Sequence, residues 1–307
     1  MQPKPTARDW IEYCVVRFAL GLLGALPRGL ALRIGALIGE GFYAFDARNR
    51  RIALANLERA FPRMSLDERQ SILRRSCRNL GRLLAEVCHF DSLTSDNIGR
   101  FVTIESPALW DETVRRAEAR GAIFLTAHFG NFELLALHQG LRGYPVTLAH
   151  RTMRNPLVDR IILDMRERVG TVSLPKKQAA RLLLRALRQK GKIALLADQN
   201  QTANAGVFAN FFGIPACTTP GPARLAAHTG APIIPVFLVR EGESDRHRLV
   251  IYPDVELADT GDKLADMIET TERCNRAVER ALTEHPDQWI WFHRRWKTRP
   301  PGEPPMY

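Results

Sequence analysis

No C-x-x-C pair occurs in this chain of 307 residues, and its five cysteines (Cys14, Cys77, Cys88, Cys217 and Cys274) are odd in number and widely scattered. That excludes an evident disulfide framework or zinc ribbon and suits reduced thiols in a cytoplasmic compartment. G-x-S-x-G is absent, so a serine nucleophile on a strand-to-helix elbow is unsupported. G-x-x-x-x-G-K-[ST], G-x-G-x-x-G and H-E-x-x-H are missing as well, which argues against P-loop, dinucleotide and zincin machinery. Chemistry without cofactor or metal is the default that remains. There are no internal repeats, low-complexity tracts or linker-like stretches to divide the chain. Acidic residues are in deficit: 33 Asp and Glu against 44 Lys and Arg leave a net charge of +11. An anionic partner follows, whether nucleic acid, acidic lipid, acidic carrier protein or phosphorylated substrate.

Long hydrophobic runs are also lacking. Tyr13 to Leu26 is apolar apart from Arg17, and Ile34 to Phe45 carries only Glu40. Neither reaches the ~20 residues that cross a bilayer comfortably. Acidic Asp9 and Glu12 precede the first run and no A-x-A site closes it, so a cleaved signal peptide fits poorly. Residues 1–45 read instead as a helical segment that associates with a membrane, with Arg17, Arg28 and Arg33 suited to anionic headgroups. Two ordinary core helices are the plainer alternative.

What is present is the content of a globular domain, with 45% hydrophobic residues. Ser65-Leu66-Asp67-Glu68 is a capping box, followed by Ile72, Leu73, Cys77, Leu80, Leu84, Val87 and Cys88 at helical spacing. From residue 121 the pattern changes. Gly121 to Thr126, Pro145 to Leu148, Lys192 to Ala197 and Pro232 to Val239 read as buried strands, with Arg248 to Tyr252 as an edge strand. Pro156 to Val169, Lys176 to Gln189 and Asp262 to Leu282 read as helices. This alternation predicts an α/β domain over 46–307, a central mostly parallel or mixed sheet flanked by helices.

The chemistry candidate is Ala127-His128-Phe129-Gly130-Asn131-Phe132-Glu133, directly after the strongest strand. Ends of parallel strands are where α/β folds place their sites. On a continuous helix, residues five apart point about 140° away from each other, so His128 and Glu133 need a turn between them. Gly130 supplies the turn, and Asn131 is a good N-cap for a helix starting at Phe132. The Glu133 carboxylate then folds back to fix the imidazole tautomer, leaving the other ring nitrogen to take a proton. With no Ser or Cys nearby, the nucleophile is the substrate's own hydroxyl. His138, His150, His228 and His285 read as structural. Trp289, Trp291 and Trp296 suit core packing and interfacial anchoring equally well.

These residues stand in a pattern that resembles the lipid A biosynthesis lauroyl/myristoyl acyltransferases, within the wider His-x4-Asp/Glu acyltransferases that include the glycerol-phosphate enzymes. The resemblance runs from about Arg48 to the C-terminus. It rests on His128 to Glu133, on Arg151-x3-Asn155-Pro156-Leu157-x-Asp159-x6-Arg166, and on Asp198-Gln199 with Gly206-Val207-Phe208 and Phe211-Phe212-Gly213. The ending His285-Pro286 to Arg299-Pro300, with its three tryptophans, is its most specific part. The resemblance implies a glycerol-phosphate-acyltransferase-like fold. It also implies transfer of an acyl chain from acyl carrier protein to Kdo-modified lipid IVA, at the cytoplasmic face of the bacterial inner membrane. His128 and Glu133 carry over as the catalytic pair, and Arg166 and Asp198 as positions important to activity. Phe132 stands where many members have Trp, and Asn200 where an acidic residue is frequent. Both departures leave acyl chain and acceptor open.

The charge agrees, since a carrier protein is acidic and the acceptor bears phosphates. Arg151, Arg166 and Asp198 read as substrate-binding residues, Arg151 and Arg166 through a bidentate grip on phosphate or on the thioester oxygen, with Asp159 on the same helix face to orient Arg166 or to steady that face against the His128 loop. Most of the remaining arginines read as a solvated face. Acyl-coenzyme A as donor, and another glycolipid, amino-lipid or phospholipid as acceptor, fit the same chemistry. A nucleic-acid-binding protein does not, because the arginines are spread among apolar elements and no binding motif occurs.

Overall fold

The computed structural model describes residues 5–307. Residues 1–4 of the expected membrane-associating segment lie outside the described residues. Four helices come first: α1 (Ala7–Ala25), α2 (Arg28–Phe45), α3 (Ala47–Ala60) and α4 (Leu66–Val87). Thr6 and Asp9 form a capping box that starts α1, and Ser65 with Glu68 forms the expected one at α4.

The two apolar runs at the N-terminus have different fates. α2 lies against α4 so closely that a methyl group at Gly35 would meet the Gly81 carbonyl oxygen at 2.4 Å. A methyl at Gly39 would meet the Cys77 oxygen at 2.1 Å. Only glycine allows that approach, which makes α2 part of the body of the protein. α1 buries none of its residues, and Trp10, Ile11, Val15, Phe18 and Leu22 are exposed. It is tethered where the Asn155 amide donates to the Asp9 carbonyl (2.9 Å) and to Glu12 (3.1 Å). Among the described residues no helix is long and apolar enough to cross a membrane.

Among the described residues nine strands follow in chain order: β1 (Val102–Ile104), β2 (Ala122–Thr126), β3 (Thr147–His150), β4 (Val172–Pro175), β5 (Lys192–Leu196), β6 (Val207–Phe211), β7 (Ile214–Thr218), β8 (Ile233–Arg240) and β9 (His247–Ile251). Seven form one sheet in the order β1-β9-β8-β2-β5-β3-β4, and β6 and β7 form a separate antiparallel hairpin. Every pairing in the large sheet is parallel except β8 with β9. The strand expected at the edge, Arg248 to Tyr252, is internal, because β1 pairs along its far side. Only three residues long, β1 has no period that marks it in the sequence.

The helices between strands are α5 (Pro107–Arg120), α6 (Phe132–Leu141), α7 (Pro156–Glu167), α8 (Lys176–Arg188) and α9 (Gly221–Thr229), and α10 (Lys263–Glu284) follows the last strand. Successive side chains of a strand point to opposite faces, and β2 shows the consequence. Phe124 packs with Trp110 of α5 and Leu134 and Leu135 of α6, while Ile123 and Leu125 pack with Leu183 of α8 and Ala226 of α9. Both faces are covered, so β2 and β8 are buried at every residue. The site lies on the face that carries α6.

Candidate active site

His128 follows the C-terminal end of β2 in a turn that requires glycine at position 130. Gly130 has φ 52°, and a Cβ there would lie 1.9 Å from the Leu238 carbonyl oxygen. Asn131 then caps α6, its side-chain oxygen accepting from the Leu134 amide at 2.9 Å. The Asn131 amide in turn donates to Glu86 (2.7 Å), a buried carboxylate held by Arg240 at 2.7 and 2.6 Å. The turn foreseen at Gly130 and Asn131 is therefore present.

Its carboxylate partner is a different one. His128 Nδ1 lies 2.9 Å from Asp198 Oδ1, at the end of the neighbouring strand β5. The His128 backbone N–H donates to Asp198 Oδ2 at 3.0 Å, and Trp289 Nε1 donates to the same oxygen at 2.8 Å. Burial opposes ionisation of Asp198, but the His128 charge and these three donors outweigh it and hold its carboxyl down to about 2. On His128 burial again works against the charge, and Asp198, with a lesser pull from Glu133, raises it above its ordinary value. The Nδ1–H points at Asp198, so Nε2 presents its lone pair, with the Gln199 amide nitrogen 3.1 Å away.

Glu133 instead takes a bidentate grip from Arg166, Nε to Oε2 at 3.0 Å and Nη2 to Oε1 at 2.5 Å. Two expectations are corrected here. The imidazole is oriented by Asp198, not by Glu133, and Arg166 is oriented by Glu133, not by Asp159. Asp159 accepts from the Met153 backbone N–H at 2.9 Å and lies 3.8 Å from His150 Nε2. Asp198, expected to bind substrate, sits behind the imidazole, almost wholly buried.

His128, Glu133, Arg166 and Gln199 all border one cavity of about 370 Å³ between the sheet and α6 and α7. Below them its walls are hydrocarbon, from Phe124, Leu135, Leu148, Ala194 and Val236. Arg151 and Lys176 stand on its rim. Among the described residues no group of three or more His, Cys, Asp or Glu side chains is placed to hold a metal ion.

Comparison with known proteins now bears on this geometry. The sequence model of the bacterial lipid A biosynthesis acyltransferases matches residues 4–298. The chain belongs to that family. It is 29% identical to the lipid A biosynthesis lauroyltransferase of Escherichia coli (strain K12), over 98% of this chain and 95% of the relative. Identity is 28% with the lipid A biosynthesis palmitoleoyltransferase of that organism (96% and 95%) and 26% with its myristoyltransferase (96% and 90%).

In this acyltransferase the C-terminal segment is the back wall of the site. Trp289, Trp291 and Trp296 are buried and pack with Phe211 and each other, which decides for core packing over interfacial anchoring. His293 Nε2 accepts the Asn200 backbone N–H at 2.9 Å, and burial pushes its pKa to about 4. Arg295 is fully buried, donating to the Cys217 carbonyl and the Thr218 hydroxyl, so it belongs to the core and not to a charged surface. His138 is likewise buried, its pKa lowered to about 4, and His228 only bonds the Arg224 carbonyl. Sequence reasoning did not find Gln199 at Nε2 or Trp289 behind Asp198. The signal for Trp289 was the dense run of tryptophans, whose position 91 residues from Asp198 no local pattern encodes.

Proposed function

We propose that this acyltransferase moves a fatty acyl chain from acyl carrier protein to a hydroxyl of a lipid A precursor of the Kdo-lipid IVA type, with His128 as general base. The single observation that supports this most is the imidazole held by Asp198 with Nε2 toward a hydrocarbon-walled cavity. An acceptor hydroxyl that takes the place of Gln199 hands its proton to Nε2 as its oxygen attacks the thioester carbonyl. The C–S bond breaks, the ester forms, and the imidazolium returns the proton to the departing thiolate. Asp198 keeps the tautomer and stabilises the imidazolium. The guanidinium of Arg166, held in plane by Glu133, meets the carbonyl oxygen or an acceptor phosphate. Arg151 on the rim adds a second cation for the phosphates.

The acidic donor and acceptor suit a chain of charge +11. The exposed apolar side chains of α1 suit a bilayer surface at the cytoplasmic face of the inner membrane. The test is transfer from labelled acyl carrier protein to Kdo-lipid IVA in detergent micelles by the full chain. Acyl-coenzyme A and other lipid acceptors are run beside it. His128→Ala should lower turnover by roughly 10²–10⁴ with the fold intact. Near-normal turnover in a folded His128→Ala variant removes the mechanism.

A further inference from the structure

The cavity has a polar floor. The strand registers give its depth: Thr126 of β2, Leu196 of β5 and His150 of β3 share the upper level, and Phe124, Ala194 and Leu148 the level two residues below. By the same register Val146, the residue before β3, lies opposite Lys192, four residues below the upper level. At ~3.3 Å per residue, the cavity reaches about 13 Å below the catalytic strand ends. α6 runs down the same wall, and Gln139, six residues past Glu133, is about 9 Å further along its axis. Gln139 and Val146 therefore close the deep end, below walls made of hydrocarbon.

Gln139 is 4% exposed, and its Oε1 is fully enclosed with no hydrogen-bond partner among the described residues. In folded proteins buried polar atoms mostly have partners, and an amide without one is costly. The other end of the amide, its Nε2, is not enclosed and borders the open cavity, where entering solvent can bond it, whereas a hydrocarbon tail pressed against it cannot. We infer that Gln139 is a specificity-determining residue, a polar stop that limits how long an acyl chain the site accepts. An extended chain advances ~3.3–3.6 Å for every three bonds, so a 13 Å depth takes about eleven bonds before the tail meets the amide. Chains of ten to twelve carbons fill the cavity without stripping the amide of its hydrogen bonds, and chains of sixteen do not.

The inference rests on the acyl-transfer reading above and is tested separately from it. Acyl carrier protein loaded with chains of ten, twelve, fourteen and sixteen carbons is compared as donor for the full-length protein and for Gln139→Met. Methionine keeps the length of the side chain and removes its polarity, so it isolates the amide from simple bulk. The expected result is that kcat/KM for sixteen carbons relative to twelve rises about tenfold in Gln139→Met, while the twelve-carbon rate changes little. Gln139→Leu repeats the comparison should the methionine variant fail to fold. An unchanged chain-length profile in a folded variant overturns the inference while leaving acyl transfer standing. A wild-type profile that favours sixteen carbons overturns it also. Absence of transfer from every donor speaks against the acyl-transfer reading itself.

Discussion

The two carboxylates of the site are held in opposite ways. Asp198 sits at a strand end and is gripped from three sides by a backbone amide, an indole and the imidazole it serves. Those groups come from His128, just past the end of β2, and from the buried tryptophan cluster. Glu133 sits in the first turn of α6, and its partner Arg166 is in the last turn of α7, so that pair ties two helices together across the cavity. Both members keep some exposure, 15% and 14% of their side chains. Asp198 therefore stands on a rigid wall, proposed to handle the proton, and Glu133 with Arg166 on a helix-borne wall, proposed to face the substrate. The His-x4-Glu spacing joins the two walls, although its residues do not bond to each other.

The largest effect should come from the rigid wall. Asp198→Asn replaces an acceptor of three hydrogen bonds by an amide whose NH2 must face a donor, and kcat should fall by about 10³ or more. Loss below tenfold in a folded variant would make the two walls equivalent. On the other wall, Arg166→Lys should lose roughly 10² in kcat/KM, because an ammonium cannot reproduce the fork on Glu133. Full activity with lysine at low salt would reduce Arg166 to a diffuse charge. Trp289→Phe removes one donor to a buried carboxylate and should cost roughly tenfold in kcat, with KM unchanged.

Titration distinguishes the walls further. In the proposed mechanism His128 acts as base when neutral, so activity should rise with pH through a midpoint above the ordinary 6.5. Asp198→Asn should lower that midpoint, and Glu133→Gln should move it less, since Asp198 is the larger influence on the imidazole. Equal shifts in a pH–rate series would erase the distinction. Stability runs with the other sign for His128: a raised pKa stabilises the fold at low pH and loses that contribution as pH climbs through it. Asp198, held to about 2, contributes above the ordinary carboxylate range, and that contribution is lost as pH falls toward 2.

The smallest effect on turnover should follow removal of residues 1–26, which buries no side chain of α1 and spares the glycine contacts of α2 with α4. Flotation with anionic vesicles should weaken in that variant while turnover in detergent persists. Removal through residue 45 uncovers the α4 surface and should lower the thermal midpoint as well.

Local chemistry was legible without coordinates. The capping box at Ser65, the helix begun by Asn155-Pro156, the buried runs of β2 and β8, and the turn at Gly130-Asn131 each depend on neighbours within a few residues, and sequence order supplies those neighbours. The histidine at the end of the strongest strand was legible for the same reason. Only the tertiary structure decided which carboxylate it meets. His128 and Asp198 are 70 residues apart and become neighbours because β2 and β5 pair in parallel with their ends level. It also decided that one apolar N-terminal run is buried in part against α4, while the other touches α4 and α7 but buries none of its residues. Glycines in α2 match glycine and backbone in α4, a complementarity between surfaces that hydropathy along a single segment cannot express.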